Sequence, residues 1–218
     1  MQKRIDWLYW LNIVGMVAYL VVFGTLNLMG KPHYPGQTQL LGQVAAGILI
    51  VSLPKIIEHY GHFRFPTLLL GLYEIFILMS ILLGTGMQFY DIPYWDKFEH
   101  LFSAAMLAGL GYAIFGALTP KDRLPKASPL LMALFAVAFG TMIGVLWEFY
   151  EFTGDGLFGM NMQRYMSGHT LLQGRAALMD TMGDLSMDFL GSLLLAIAGY
   201  IGIHRDWHWL DKFMFKKD

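Results

Sequence analysis

A chain of 218 residues that is 56% hydrophobic and only 14% charged is too apolar for an ordinary water-soluble domain. It has no cysteine, which excludes a disulfide framework, a thiolate metal site and a cysteine nucleophile. Its net charge of -1, with no run of like charges, gives no footing for a nucleic-acid partner.

Crossing a bilayer takes about 20 consecutive apolar residues. In chain order, six stretches meet that demand: residues 7–29, 39–57, 66–86, 97–119, 128–149 and 176–203. The first is too long for a signal-peptide core and has no small-x-small cleavage site, so it reads as a span. Pro54 and Lys55 interrupt the end of the second. The connections carry Lys31-Pro32, Pro35-Gly36, Pro93 and the run from Pro120 to Pro129. A longer connection, residues 151–175, is rich in glycine and polar residues and is expected to lie over the helix ends. The fold class is therefore all-α: a polytopic membrane protein whose residues 1–218 form a single transmembrane domain, a six-transmembrane-helix bundle.

Lysine and arginine set the orientation. With the N-terminus inside, the inner side holds Lys3, Arg4, Lys55, Arg64, Lys121, Arg123, Lys126, Arg205, Lys212, Lys216 and Lys217, and the outer side only Lys31, Lys97, Arg164 and Arg175. Both termini are expected in the cytoplasm.

The acids are not scattered. Asp96, Glu99 and His100 open the fourth span, Glu148 and Glu151 close the fifth, and Asp180, Asp184 and Asp188 descend the first half of the sixth. By the alternation of spans, all three groups come to the outer side. Asp96 and His100 are four residues apart and share a helix face, as Glu148 and Glu151 do at a spacing of three. The aspartates of the sixth span step about 6 Å deeper at each repeat, so Asp188 lies roughly 12 Å below Asp180, as a second shell or second site. Glu74, inside the third span, is expected either to bond a neighbouring helix or to meet Asp188 at mid-depth.

A carboxylate near the bilayer centre costs at least about 2.5 kcal/mol, so it faces a cavity or a partner. Lys97, Arg164 and Arg175 are too few to neutralise this cluster. Protonation, a proton path or a bound cation would complete the balance. Oxygen donors with one imidazole suit a divalent metal ion: zinc, manganese, magnesium or iron.

Asp96-Lys97-x-x-His100, the Glu148-x-x-Glu151 pair and Gln173-Gly174 followed by Asp180, Asp184 and Gly191 resemble the YjdF-type family of bacterial inner-membrane proteins and, more distantly, VanZ-like proteins. The likeness covers about residues 90–195. Leu101 stands where the family has phenylalanine, and Asp188 where VanZ-like proteins often carry asparagine. The resemblance implies a shared site built from Asp96, His100, Glu148, Glu151, Asp180 and Asp184 in a cell-envelope setting.

The expectation from these residues is a metal-dependent hydrolase or transferase in the bacterial cytoplasmic membrane, acting from the extracytoplasmic side on a membrane lipid or a lipid-linked envelope small molecule. Asp96, His100, Glu148, Asp180 and Asp184 would hold metal. Glu148 or Glu151 would serve as general base, with His100 as ligand or acid. Lys97, Arg164 and Arg175 would hold a phosphate, and Glu99, Asp188 and Glu74 would stand behind them. The alternatives are a cation- or proton-coupled transporter and a non-catalytic envelope binding or assembly protein.

Overall fold

The computed structural model describes residues 3–217, with side chains from Asp6 to Lys217. Six helices are long and apolar enough to cross a membrane. They are α1 (Lys3–Leu28), α2 (Gln37–Gly61), α3 (Thr67–Ile77, continued to Gly86 as a π-helical segment), α4 (Trp95–Leu118), α5 (Pro129–Phe158) and α6 (Met179–Arg205). Rows of large apolar side chains on these helices stay exposed, among them Val14, Val21, Leu49, Leu134, Leu194 and Ile201. Such faces suit hydrocarbon rather than water, and helices satisfy their own backbone polar groups there.

Packing divides the described chain into two compact units. Of the described residues, the first comprises 3–95 and 214–217. Met16, Tyr19, Val44, Val51, Ile77 and Leu82 form its core. In it, the strand Phe63–Arg64 pairs antiparallel with Lys216–Lys217. Widening of α3 to a π-helical path is visible in the Met87 N–H bond to the Leu82 carbonyl, a step of five residues. Pro54 sits inside α2 rather than ending it.

The second unit, residues 96–213, holds α4, α5 and α6. Its helices approach closely because glycines meet the deepest polar residues. A Cβ on Gly191 would run into the Leu101 backbone, one on Gly144 into the Asp188 carboxylate, and one on Gly140 into the Ser192 hydroxyl. In a bilayer, helix association rests on such close packing, not on water expulsion.

One boundary differs in a way that matters. The fifth span, expected to end at residue 149, continues to Phe158. No proline stops it; the helix ends only at Gly159, whose φ of 62° supplies the left-handed cap and whose N–H bonds the Asp155 carbonyl at 2.9 Å. Glu148 and Glu151 therefore lie within the helix, not at its close. They share a buried stripe with Gly140, Gly144 and Asp155.

Gly191→Ala should lower stability by about 1–3 kcal/mol, because its methyl meets fixed backbone. Gly42→Ala in α2, where a Cβ would meet nothing within 4 Å, should be neutral or slightly stabilising. Thermal melts in detergent measure both, and equal melting temperatures would refute the packing role of Gly191.

Candidate functional site

All of the acidic groups of α4, α5 and α6 belong to the second unit, and a lysine ties three of them together. Lys97 Nζ lies 2.6 Å from Asp180 Oδ1, 2.8 Å from Asp184 Oδ1 and 3.2 Å from Asp96 Oδ2. The ammonium thus joins α4 to α6 near the start of both helices. Arg164 approaches the same carboxylates from outside, 3.9 Å from Asp96 and 3.8 Å from Asp180.

One turn deeper, His100 stands between the layers. Its Nδ1 is 3.1 Å from Asp188 Oδ1, and its Nε2 faces Asp184 at 3.6 Å and Asp96 at 3.9 Å. The buried imidazole therefore links the deep aspartate to the shallow ones, which helical rise alone had set apart. Asp184 is only 1% exposed and Asp188 likewise 1%. Below them Ser192 donates to the Ala104 carbonyl at 3.3 Å, and the next position on that face, Ala196, is buried and apolar.

Asp96, His100 and Asp184 each offer a ligand atom, and these atoms lie within 4.8 Å of one another. Donors at about 2.0–2.2 Å around a tetrahedral ion stand roughly 3.3–3.6 Å apart, so a contraction of about an ångström would let the three share a cation. With Nδ1 held by Asp188, His100 presents Nε2 to the triad, the carboxylate–histidine arrangement that orients metal-binding imidazoles. Asp180 Oδ2, Asp188 Oδ2 and Glu148 Oε1 are buried without a hydrogen-bond partner. Four aspartates confront two fixed cations, Lys97 and Arg164, so negative charge remains in excess.

The glutamates of α5 meet neutral donors. Gln163 Nε2 donates to Glu148 Oε2 at 2.9 Å, and Trp147 Nε1 donates to Glu151 Oε1 at 2.9 Å. Glu151 is within Coulombic range of Glu148, His100 and Asp96. Glu99 is buried on α4. Glu74 lies in the first unit, and its carboxylate takes a hydrogen bond from Asn12 at 3.0 Å, a neighbouring-helix partner. Arg175 is exposed on the short helix Gly174–Leu178, and Lys97 points into the carboxylates.

A family model described as "Predicted membrane protein (DUF2238)" matches residues 9–205, nearly the whole chain. The chain belongs to this family. The YjdF-type resemblance is consistent with it, and the protein is a multi-pass membrane protein. An uncharacterized protein of Thermotoga maritima is 29% identical over 149 residues, covering 67% of this chain and 69% of that protein. No solved structure matches the chain.

Asp155, Asn161 and Gln163 were missed by sequence reasoning. Asp155 accepts the Met162 N–H at 2.5 Å and the Gln163 N–H at 2.9 Å, folding the connection back along α5. That return brings Gln163 to Glu148 and Arg164 to the aspartates. Asn161 braces the turn through Met166, accepting its N–H at 2.8 Å and donating to its carbonyl at 3.1 Å. Arg164 itself has φ of 48°, a left-handed backbone that costs energy for a residue with a Cβ and persists where surrounding contacts enforce it. Spacing held a signal: Asp155 follows Glu148 by seven residues and Glu151 by four, the same helix face. It was hidden because the helix was expected to stop before it.

Asp155→Ala should free this return. Amide exchange at Met162 and Gln163 should then rise by about 10–100-fold, the loss of hydrogen bonds to a charged acceptor. Unchanged protection would show that the turn holds without Asp155.

Proposed function

We propose that this protein is a metal-dependent membrane enzyme, a hydrolase or transferase acting on an ester- or phosphate-bearing lipid or envelope precursor. Its site would face the extracytoplasmic side of the bacterial cytoplasmic membrane, with both termini inside. One observation carries the reading: Asp96, His100 and Asp184 converge within 4.8 Å inside a cluster whose carboxylates exceed its fixed cations. A mixed oxygen and nitrogen donor set fits zinc, manganese or iron, and magnesium less well, because of the imidazole. A bound divalent ion would polarise a substrate oxygen and activate water.

The chain's own residues supply the rest. Asp188 fixes the His100 ring through Nδ1. Lys97 holds Asp180 and Asp184 together and offsets part of their charge. Glu148, with one buried oxygen that has no partner, is placed to accept a proton, with Glu151 beside it on the same helix face. Arg164, half exposed at the rim, is the group for a substrate phosphate. Gln163 keeps Glu148 in position.

A second reading is favoured by Lys97. Its ammonium already stands where a cation is needed, so the cluster can balance itself by sharing protons and serve proton-coupled transport or simple binding. The end of the polar ladder at Ser192, above buried Ala196, weighs against a conduit and for a one-sided pocket.

Metal analysis with thermal melts decides between them. The metal reading expects near-stoichiometric metal in native protein. Chelation should lower the melting temperature by roughly 5–10 °C, since an ion at a hundred times its Kd stabilises by about 2.7 kcal/mol. Asp184→Asn should weaken metal binding. Metal-free protein that ignores chelator, with Asp184→Asn no less stable, would transfer the conclusion to the second reading.

A further inference from the structure

The first unit carries a cavity of about 480 Å³ that the acidic site does not use. That size lies within the range of small-ligand pockets. We infer that this cavity is a second ligand site and takes a small zwitterionic headgroup bearing a phosphate and a primary ammonium.

The lining carries equal numbers of both charges: Asp6, Glu58 and Glu74 against Lys55, Arg64 and Lys216. The lining is balanced, so a ligand of single charge would add an uncompensated charge to it, and a ligand with both charges would not. The two sets differ in depth. Arg64 is exposed just past the end of α2 and pairs in the short sheet with Lys216, so these cations gather at the mouth. Glu74 is 3% exposed and lies seven residues into α3, about 10 Å along the helix from Thr67.

The other acids of the cavity are already engaged. Asp6 lies 3.5 Å from Lys55 Nζ, and Glu58 accepts the Phe65 N–H at 2.7 Å. Among the described residues, the hydrogen bond to the Glu74 carboxylate comes from a neutral amide, the Asn12 Nδ2 at 3.0 Å. Asn12 is itself fully buried, and its Oδ1 has no hydrogen-bond partner. Among the described residues no cation is hydrogen-bonded to Glu74, and a buried carboxylate draws a cationic donor. Tyr9 shows that the wall accepts an ammonium: Lys55 Nζ stands 3.5 Å from its ring centroid. Cations at the mouth for a phosphate and an acid at the floor for an amine define the orientation of the headgroup. Lys55, Arg64 and Lys216 all belong to the set that the charge bias assigns to the inner side, so a lipid bearing this headgroup would come from the inner leaflet.

The chemistry is shared by phosphatidylethanolamine and by free phosphoethanolamine. The full-length protein in nanodiscs of mixed lipids, analysed by native mass spectrometry, separates them. Phosphatidylethanolamine should be retained over phosphatidylcholine and phosphatidylglycerol of the same chains. Glu74→Gln should lower that preference about tenfold, the loss of one charge-assisted bond. Arg64→Gln, at the exposed mouth, should weaken all three lipids alike and leave the amine preference intact, which guards against misfolding as the explanation. Displacement of bound lipid by millimolar phosphoethanolamine would make the soluble compound the ligand; resistance to it would assign the lipid. Equal retention of the three lipids with no response to phosphoethanolamine overturns the inference, as does an unaltered preference in folded Glu74→Gln.

Discussion

The interaction on which the second unit depends is the contact of one lysine with three aspartates from two helices. A carboxylate in a span carries an insertion penalty of about 2.5–3.5 kcal/mol, and this unit has several within a few ångströms. Lys97 makes that tolerable by touching Asp96, Asp180 and Asp184 at once. The same contacts set the register of α4 against α6, and His100 repeats the link a turn deeper through Asp188. Gly144 and Gly191 then let the helices close around the acids. Packing and electrostatics here are one arrangement: without the glycines the ladder could not be enclosed, and without the lysine enclosing it would be too costly.

What the ladder does not supply is full compensation. Buried oxygens of Asp180, Asp188 and Glu148 remain without donors, and each is an expense that a structural network would ordinarily avoid. Buried ionic groups are weak evidence for stability and better evidence for a task. The first unit poses the same problem on a smaller scale, where the buried Glu74 carboxylate is hydrogen-bonded by the neutral amide of Asn12. The two units thus keep separate polar centres, each with buried carboxylates.

Much of this was legible in the sequence. Hydrophobic length located the six helices, and helical spacing put Asp96 with His100 and the three aspartates on one face. Convergence of α4 and α6 followed from the alternation of spans. Three features were not legible. The reach of α5 past Glu151 was hidden because Gly154 and Gly156 read as loop, although glycine only weakens a helix and here none takes the left-handed form before Gly159. The role of Lys97 was read as substrate binding, because sequence fixes a side chain's helix face but not which neighbour its flexible end will choose. The return of the connection through Asp155 depends on hydrogen bonds from backbone N–H groups, which leave no residue signature on the donating side.

The central claim is that Asp96, His100 and Asp184 share one cation. The most direct measurement is anomalous X-ray scattering from crystals of the protein loaded with manganese. The account predicts a peak bonded to the Asp96 and Asp184 carboxylates and to His100 Nε2, with Asp188 still on Nδ1. Crystals that bind no manganese there, with Lys97 Nζ keeping its contacts to Asp180 and Asp184, would contradict it.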